Sequence, residues 1–361
     1  LEDIMRRFVY RTLCNIIYGR KSYSRQIPYR VEVVAENLNV PWAIAESDDG
    51  KIYFTERVGR IRVIENGRLN PQPLVTITPI FTEAEAGLFG IALDPNFSEN
   101  HYVYVMHTYS VGNNIYSRVI RLVERNNALS LDNIIIDRLP AGRIHLGGRL
   151  KIGPDGKLYI PVGDANNYSY AQDPSILAGK ILRLNLDGSI PEDNPFPNSP
   201  VYTLGHRNPQ GLAWNSENVL YSSEHGENGH DEINIIKAGR NYGWPIAEGN
   251  ATIPGFNYER PIFDSGDLTF APSGITFITK GPWAGKLLVG NLRGQQLLLF
   301  TFNEDGTSVE SLETFFPNEF GRIREVYEAK DGSIYITTSN RDGRGNPSPG
   351  DDKILRLIPI E

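Results

Sequence analysis

The sequence predicts an all-β fold, a six-bladed β-propeller with four-stranded antiparallel blades, and three observations carry that expectation. A phrase recurs six times along the chain: an apolar stretch, a tight turn, an alternating strand, a polar break and a second alternating strand. Glycine (35) and proline (24) punctuate the whole length, where a helical protein gathers them at a few joints. Within each phrase apolar positions alternate with period two, as in Lys157-Leu158-Tyr159-Ile160 and Ser333-Ile334-Tyr335-Ile336, giving each strand two distinct faces.

The copies start at Pro41 (PWAIAESDDGKIYF), Gly87 (GLFGIALDPNF), Gly147 (GGRLKIGPDGKLYI), Asn208 (NPQGLAWNSENVLY), Pro272 (PSGITFITKGPWAG) and Arg324 (REVYEAKDGSIYI). Their spacing is roughly 50 to 60 residues, what a four-stranded blade with its loops requires. Asp49-Gly50, Asp155-Gly156 and Asp331-Gly332 fall where a tight hairpin needs positive φ, which glycine adopts at little steric cost. The segment YRVEVVAEN near residue 30 supplies the outer strand of the last blade, so the ring closes with a piece from each end and loses its sheet edges. A β-sandwich gives no reason for six copies of one order of events. The propeller is expected over residues 29–361. Residues 1–28 read as an appendage, either a signal remnant or an added segment. Arg6 and Arg7 precede a weakly apolar run there, but Arg11 interrupts it and no small-residue cleavage site follows.

Composition narrows the function. The 361 residues are 40% apolar and 22% charged, an ordinary globular balance, and 36 basic against 43 acidic residues give a net charge of −7. That balance argues against a phosphate-tracking surface, so no nucleic-acid partner is expected. One cysteine, Cys14, supplies neither a disulfide framework nor a thiolate metal site. No run approaches the roughly 18 apolar residues of a membrane span. Dinucleotide, P-loop and serine-hydrolase motifs are absent from the sequence, as is the paired-histidine zinc motif.

In a propeller, loops at the blade entrances converge on a central cavity. Polar residues at those positions are Glu85, His145 with Arg149, Asp164, His206-Arg207-Asn208, Gly226-Glu227, Arg293, and Arg322 with Arg324. Five arginines around one cavity are costly unless something anionic lies between them. Arg322 and Arg324, two apart on a strand, project from one face and repel each other unless they share anions, which planar guanidinium groups pair bidentately. Salt bridges to neighbouring acids would satisfy them equally well. His145, directly before two glycines, is placed to act as a general base near neutral pH, and Asp164 to orient it; a structural histidine and a turn aspartate are the plain alternatives. The loop SEHGENGHDE gathers Glu224, Glu227, Asp231 and Glu232, an oxygen-rich pattern that suits calcium as well as it suits solvent.

At these residues the chain resembles the quinoprotein soluble glucose dehydrogenases, above all their aldose sugar dehydrogenase branch. The resemblance rests on VPWAIAE, GLFGIALDPNF, HLGGRLKIGPDGKLYIPVGDA, LGHRNPQGLAW, HGENGHDEINIIKAGRNYGWP and GRIREVYEAKDGSIYITT, which span nearly the whole chain in order. It implies a six-bladed propeller that binds pyrroloquinoline quinone (PQQ) and calcium and oxidises the anomeric carbon of aldoses to lactones. It also implies roles. His145 is the base that takes the anomeric hydroxyl proton while hydride passes to quinone C5, and Asp164 supports it. Arg207 stabilises charge on the quinone oxygen, Asn208 contacts the cofactor, Arg293 stands for a family lysine, and Arg322 and Arg324 bind its carboxylates. The carbonyls of Gly226 and Glu227 hold the catalytic calcium, and Glu232 with Tyr242 a second, structural one. Glu85 replaces a glutamine near the quinone, which calls for a raised pKa or for Arg207 or another cation beside it. Ile144 replaces an acidic substrate contact of the glucose-specific enzymes, and the short loops imply an open site with broad sugar tolerance. The family likeness also implies an external electron acceptor, a periplasmic, cell-envelope or extracellular location, and a monomer or homodimer. Two other readings compete: a calcium-dependent lactonase-like hydrolase, which leaves the arginines without a common ligand, and a non-catalytic interaction propeller, which gives His145, Asp164 and the arginines no reason to coincide.

Overall fold

Six antiparallel sheets are arranged in a ring in the computed structural model, which describes residues 27–360. Cys14 and most of the expected N-terminal appendage lie outside the described residues. Each blade begins with its innermost strand. The first blade runs Pro41–Glu46, Ile52–Glu56, Arg60–Glu65 and Arg68–Leu69, with Val75–Thr76 also paired to the third strand. The second is built of longer strands, Leu88–Leu93, Tyr102–Val111, Asn114–Arg125 and Ala128–Pro140. The third is Lys151–Ile152, Leu158–Val162, Lys180–Leu184 and Val201–Leu204; the fourth Pro209–Trp214, Leu220–Glu224, Glu232–Ile236 and Phe263–Asp264. The fifth is Pro272–Phe277, Leu287–Asn291, Gln296–Phe302 and Val309–Phe315.

The sixth blade joins the two ends of the chain. Ile323–Glu328, Ile334–Thr338 and Ile354–Pro359 come from the C-terminal part, and Tyr29–Ala35 adds the outer strand, pairing Tyr29 with Pro359 and Ala35 with Ile354. The expected ring closure is thus present, and it removes the edge that an open sheet would present. The predicted hairpin glycines Gly50, Gly156 and Gly332 have φ of 83°, 72° and 86°.

Burial follows from the alternation. Apolar side chains of neighbouring sheets pack face to face, as where Ile52, Phe54 and Ile64 of the first blade meet Tyr335 and Ile354 of the sixth. Complete burial of each such side chain contributes about 1.5–3 kcal/mol. At the axis the inner strands pack against one another: Pro41–Glu46 lies against both Leu88–Leu93 and Ile323–Glu328, and Pro272–Phe277 against Pro209–Trp214 and Ile323–Glu328.

Arg149, entering the third blade, occupies this axis and is fully buried. It donates to the carbonyls of Trp42 (3.0 Å) and Gln210 (3.1 Å), to Ser273 Oγ (3.0 Å) and to Glu325 Oε2 (2.7 Å), and stacks over the Trp42 ring at 4.3 Å. One guanidinium thereby ties inner strands of four other blades. Among the described residues no helix is long and apolar enough to cross a membrane.

Candidate active site

His145 is held by backbone packing that only glycine permits. A Cβ on Gly163 would lie 2.0 Å from the His145 carbonyl oxygen, so the 145–148 turn presses directly on the end of Leu158–Val162. His145 itself has φ of 58°, with its N–H donating to Glu85 Oε2 at 3.0 Å and its carbonyl accepting from Ala165 N at 3.1 Å. This packing brings its Nδ1 to 2.8 Å from Asp164 Oδ1. Asp164 is fully buried and receives two more donors, Asn166 N–H and the Trp244 indole N–H, each at 2.8 Å. Against an acceptor-only carboxylate Nδ1 carries the proton, which leaves the Nε2 lone pair to act as a base.

Glu85 has its counter-charge, but the cation is Arg344 and not Arg207: Arg344 Nη2 lies 3.0 Å from Glu85 Oε1. Arg207 follows Val201–Leu204 and lies over the Trp244 ring at 5.4 Å. Its N–H donates to Glu224 Oε2 (2.9 Å) and its Nη1 to the His225 carbonyl (3.3 Å), while its buried Nε has no partner among the described residues. Asn208 is 1% exposed, accepts from Gly147 N–H at 3.0 Å and turns its amide to His225 Nδ1 at 3.4 Å. Burial, reinforced by Arg207, pushes the His225 imidazole down to about 3, so it is neutral. With Nε2 at 2.8 Å from the Pro272 carbonyl, the proton sits there and Nδ1 accepts from Asn208.

Arg322 and Arg324 do face the same group, and it is an acid of the protein. Arg322 Nε (2.8 Å) and Arg324 Nη2 (3.2 Å) share Asp342 Oδ2, and Arg57 Nη1 donates to the Asp342 carbonyl at 3.3 Å. Burial drags Arg324 below the ordinary arginine value, to about 9; Asp342 opposes this, and Arg322, Arg57 and Arg149 add to it. Against its burial, Asp342 is held below the usual carboxylate range by Arg324 and Arg322. Two guanidinium groups therefore share one carboxylate oxygen, and a third, Arg57, reaches the carbonyl of the same residue. Arg293 stands apart, exposed in the turn between Leu287–Asn291 and Gln296–Phe302.

The loop after Leu220–Glu224 is wound tightly: a Cβ on Gly226 would meet the Gly229 carbonyl oxygen at 2.0 Å. Gly226 N–H donates to Asp231 Oδ1 at 3.0 Å and Glu227 N–H to Glu248 Oε1 at 2.6 Å, whereas neither of their carbonyls accepts a hydrogen bond among the described residues. Glu232 is buried opposite Glu224, its register partner, and burial followed by that neighbour raises it well above the usual carboxylate range. The Tyr242 hydroxyl is engaged by Ile235 O (2.6 Å) and Lys237 N (2.8 Å), which leaves only its carbonyl to serve a site with Glu232. Among the described residues no group of three or more His, Cys, Asp or Glu side chains forms a metal cluster.

Sequence reasoning missed Asp342, Arg57, His225, Trp244 and Arg344. Trp244 and Asp342 lie in the segments NYGWP and SNRDGRG, and an acid a few residues beyond the strand facing Arg-x-Arg is the signal that would have found Asp342.

Residues 38–356 match the family model described as glucose/sorbosone dehydrogenase. The chain is 31% identical to aldose sugar dehydrogenase YliI of Escherichia coli, covering 87% of this chain and 91% of that protein. It is 33% identical to quinoprotein glucose dehydrogenase B of Acinetobacter calcoaceticus, covering 85% and 72%. Its fold superposes on the PQQ-bound aldose sugar dehydrogenase of Streptomyces coelicolor with a TM-score of 0.83 at 35% identity, covering 91% of this chain and 98% of that one. With a family model matched over most of its length, the chain belongs to the glucose/sorbosone dehydrogenase family.

Proposed function

We propose that this protein oxidises aldoses at the anomeric carbon to lactones, using PQQ and calcium. The observation that carries the reading is the uneven charge near the His145–Asp164 pair: Arg322 and Arg324 share one Asp342 carboxylate oxygen, Arg57 donates to the carbonyl of the same residue, and Arg207 keeps a buried Nε–H without an acceptor among the described residues. A planar tricarboxylate supplies the acceptors this set lacks. Arg322 and Arg324 would hold its carboxylates, Asn208 its ring system, Arg207 a quinone oxygen, and Arg293 would reach it from the rim. Glu85, paired to Arg344, fixes the His145 backbone beside it. The open carbonyls of Gly226 and Glu227 suit calcium, and Glu232 with the Tyr242 carbonyl suits a second, structural ion. Bound there, PQQ would supply the acceptor for the C1 hydride and calcium a Lewis acid beside it.

The chain's own residues handle the proton. His145 Nε2 takes it from the anomeric hydroxyl, and Asp164 stabilises the resulting imidazolium through the Nδ1–H bond. The Asn166 and Trp244 donors fix Asp164 so that it does not turn away. A separate acceptor, in the cell envelope on this reading, then removes the electrons. A hydrolytic propeller would leave the guanidinium cluster without a ligand.

The test is a PQQ titration of metal-free protein with and without calcium, following dye reduction with a panel of aldoses. Saturable, calcium-dependent oxidation is expected, falling by about 10²–10⁴-fold in His145→Ala. Folded, calcium-loaded protein that binds no PQQ would overturn the reading.

A further inference from the structure

The two oxygens of Asp164 have different partners. Oδ1 takes His145 Nδ1 and the Asn166 N–H, each at 2.8 Å, while Oδ2 takes the Trp244 indole N–H at 2.8 Å and no other donor among the described residues. A carboxylate that lost the indole would be free to rotate about its last bond and carry Oδ1 away from the imidazole. Trp244 itself lies outside any strand or helix, in the connection between Glu232–Ile236 and Phe263–Asp264, so its place has to be fixed by other contacts.

The fixing group comes from the third blade. Gln172 ends the short 3-10 helix Tyr168–Gln172, and its Nε2 donates to the Trp244 carbonyl (2.6 Å) and to Asn241 Oδ1 (3.0 Å), while its Oε1 accepts from Asn241 Nδ2 (2.7 Å). Asn241 Oδ1 also accepts the Gly243 N–H at 2.9 Å, which settles the direction of both amides. Gly205 makes room for this clamp: a Cβ there would lie 2.1 Å from Asn241 Oδ1, and the Gly205 carbonyl accepts the Trp244 N–H at 3.0 Å.

The helix that carries Gln172 is held from within. Lys180 is fully buried and donates to the carbonyls of Tyr170 (2.7 Å), Ala178 (2.8 Å) and Ala171 (3.3 Å). Burial pushes this ammonium down to about 8, with Asp173 opposing. A buried cation satisfied by carbonyls alone is costly, and what it fixes here is the backbone leading into Gln172.

We propose that Gln172 is a positioning residue for proton transfer at His145: through Trp244 it holds the Asp164 carboxylate in one rotation, with Lys180 fixing the turn from which it acts. The inference rests on the aldose-oxidising reading for the reaction it serves, whereas the clamp is a property of the unliganded chain.

The experiment follows Gln172→Met, which keeps the length of the side chain and removes its hydrogen bonds. Deuterium exchange of the four tryptophan indole N–H groups is recorded by NMR on the unliganded protein, with Trp244 identified as the signal missing from Trp244→Phe. The clamp predicts that the Trp244 signal shifts and exchanges about tenfold faster or more, while those of the buried Trp42 and Trp283 keep their rates. In the PQQ- and calcium-loaded protein, kcat and kcat/KM for an aldose should fall together by about tenfold with KM within about twofold, as expected when only the transition state loses an interaction. Gln172→Glu, which keeps an acceptor for Asn241 but no donor for the Trp244 carbonyl, should lose as much. Equal acceleration of all indole signals would make Gln172 a general stabiliser, and a freed Trp244 indole with unchanged turnover would separate the clamp from the chemistry; either result overturns the proposal. Failure of the parent protein to oxidise any aldose overturns the reaction and with it this role, while the indole exchange still decides whether Gln172 clamps Trp244.

Discussion

Two buried arginine sites lie side by side at the propeller axis, and they are built on opposite plans. Arg149 is balanced: one guanidinium, one carboxylate in Glu325, and further acceptors from Trp42, Gln210 and Ser273. A few ångströms of strand away, Arg322 and Arg324 divide a single Asp342 oxygen, with Arg57 pressed against the same residue. The first arrangement is complete within the folded chain. The second sets two guanidinium groups on one carboxylate oxygen with a third beside them, and on the proposed function that surplus is where an anionic cofactor would sit.

The comparison breaks most readily through Arg149. Arg149→Met strands Glu325 in the core without its cation, and a buried pair broken from one side costs about 3–5 kcal/mol. Denaturant unfolding should show that loss with or without PQQ, and Arg149→Met/Glu325→Leu should recover most of it. A single variant as stable as the parent would mean that the axis does not depend on this pair.

Arg324→Met should behave in the reverse way. Removing one of three crowded cations leaves Asp342 paired with Arg322, so the stability of the unliganded protein should hold or rise. PQQ affinity should fall by about 10–100-fold, the worth of one or two charge-assisted hydrogen bonds. A loss of stability as large as that of Arg149→Met, with affinity intact, would place Arg324 in the same structural class.

The sequence showed these arginines as equals. Six repeated phrases and their Asp-Gly turns made the propeller legible because both signals are local, and the ring closure followed from an unpaired strand at Tyr29–Ala35. His145 and Asp164 were legible through motif and resemblance. Asp342 beside Arg57, Trp244 beneath Arg207 and Arg344 against Glu85 were not, because each contact joins loops of different blades and depends on the completed ring. Charge balance is a property of the folded neighbourhood, so residue type at a blade entrance cannot reveal it.

Histidines report the same surplus more gently. His225 is held to about 3 by burial, then by Arg207, with His145 and Arg324 adding to it; His107, remote in the second blade, is held to about 4 by burial, with Arg118 adding to it. Against its own burial, His230 is raised above 6.5 by Asp264. An NMR titration from pH 5 to 8 should therefore show His230 changing charge while His107 and His225 stay neutral. The His230–Asp264 pairing is fully present below pH 6.5 and is lost as pH rises through the raised value. Arg324→Met should move His225 upward and leave His107 in place; equal movement of both would deny a local surplus.

The smallest effect belongs to Glu85. Its carboxylate does two things, accepting the His145 N–H and pairing with Arg344, whose side chain is 59% exposed. Glu85→Gln keeps an oxygen for the backbone donor and gives up only the ion pair, and an exposed pair contributes at most about 1 kcal/mol. Turnover should stay within about fivefold of the parent, and Glu85→Ala should cost more, because it frees the backbone of a residue held at positive φ. Should Glu85→Gln instead abolish turnover, the negative charge itself would be at work beside His145. Glu85 would then have to be counted against the arginine surplus, and the contrast between the two sites would narrow by one charge.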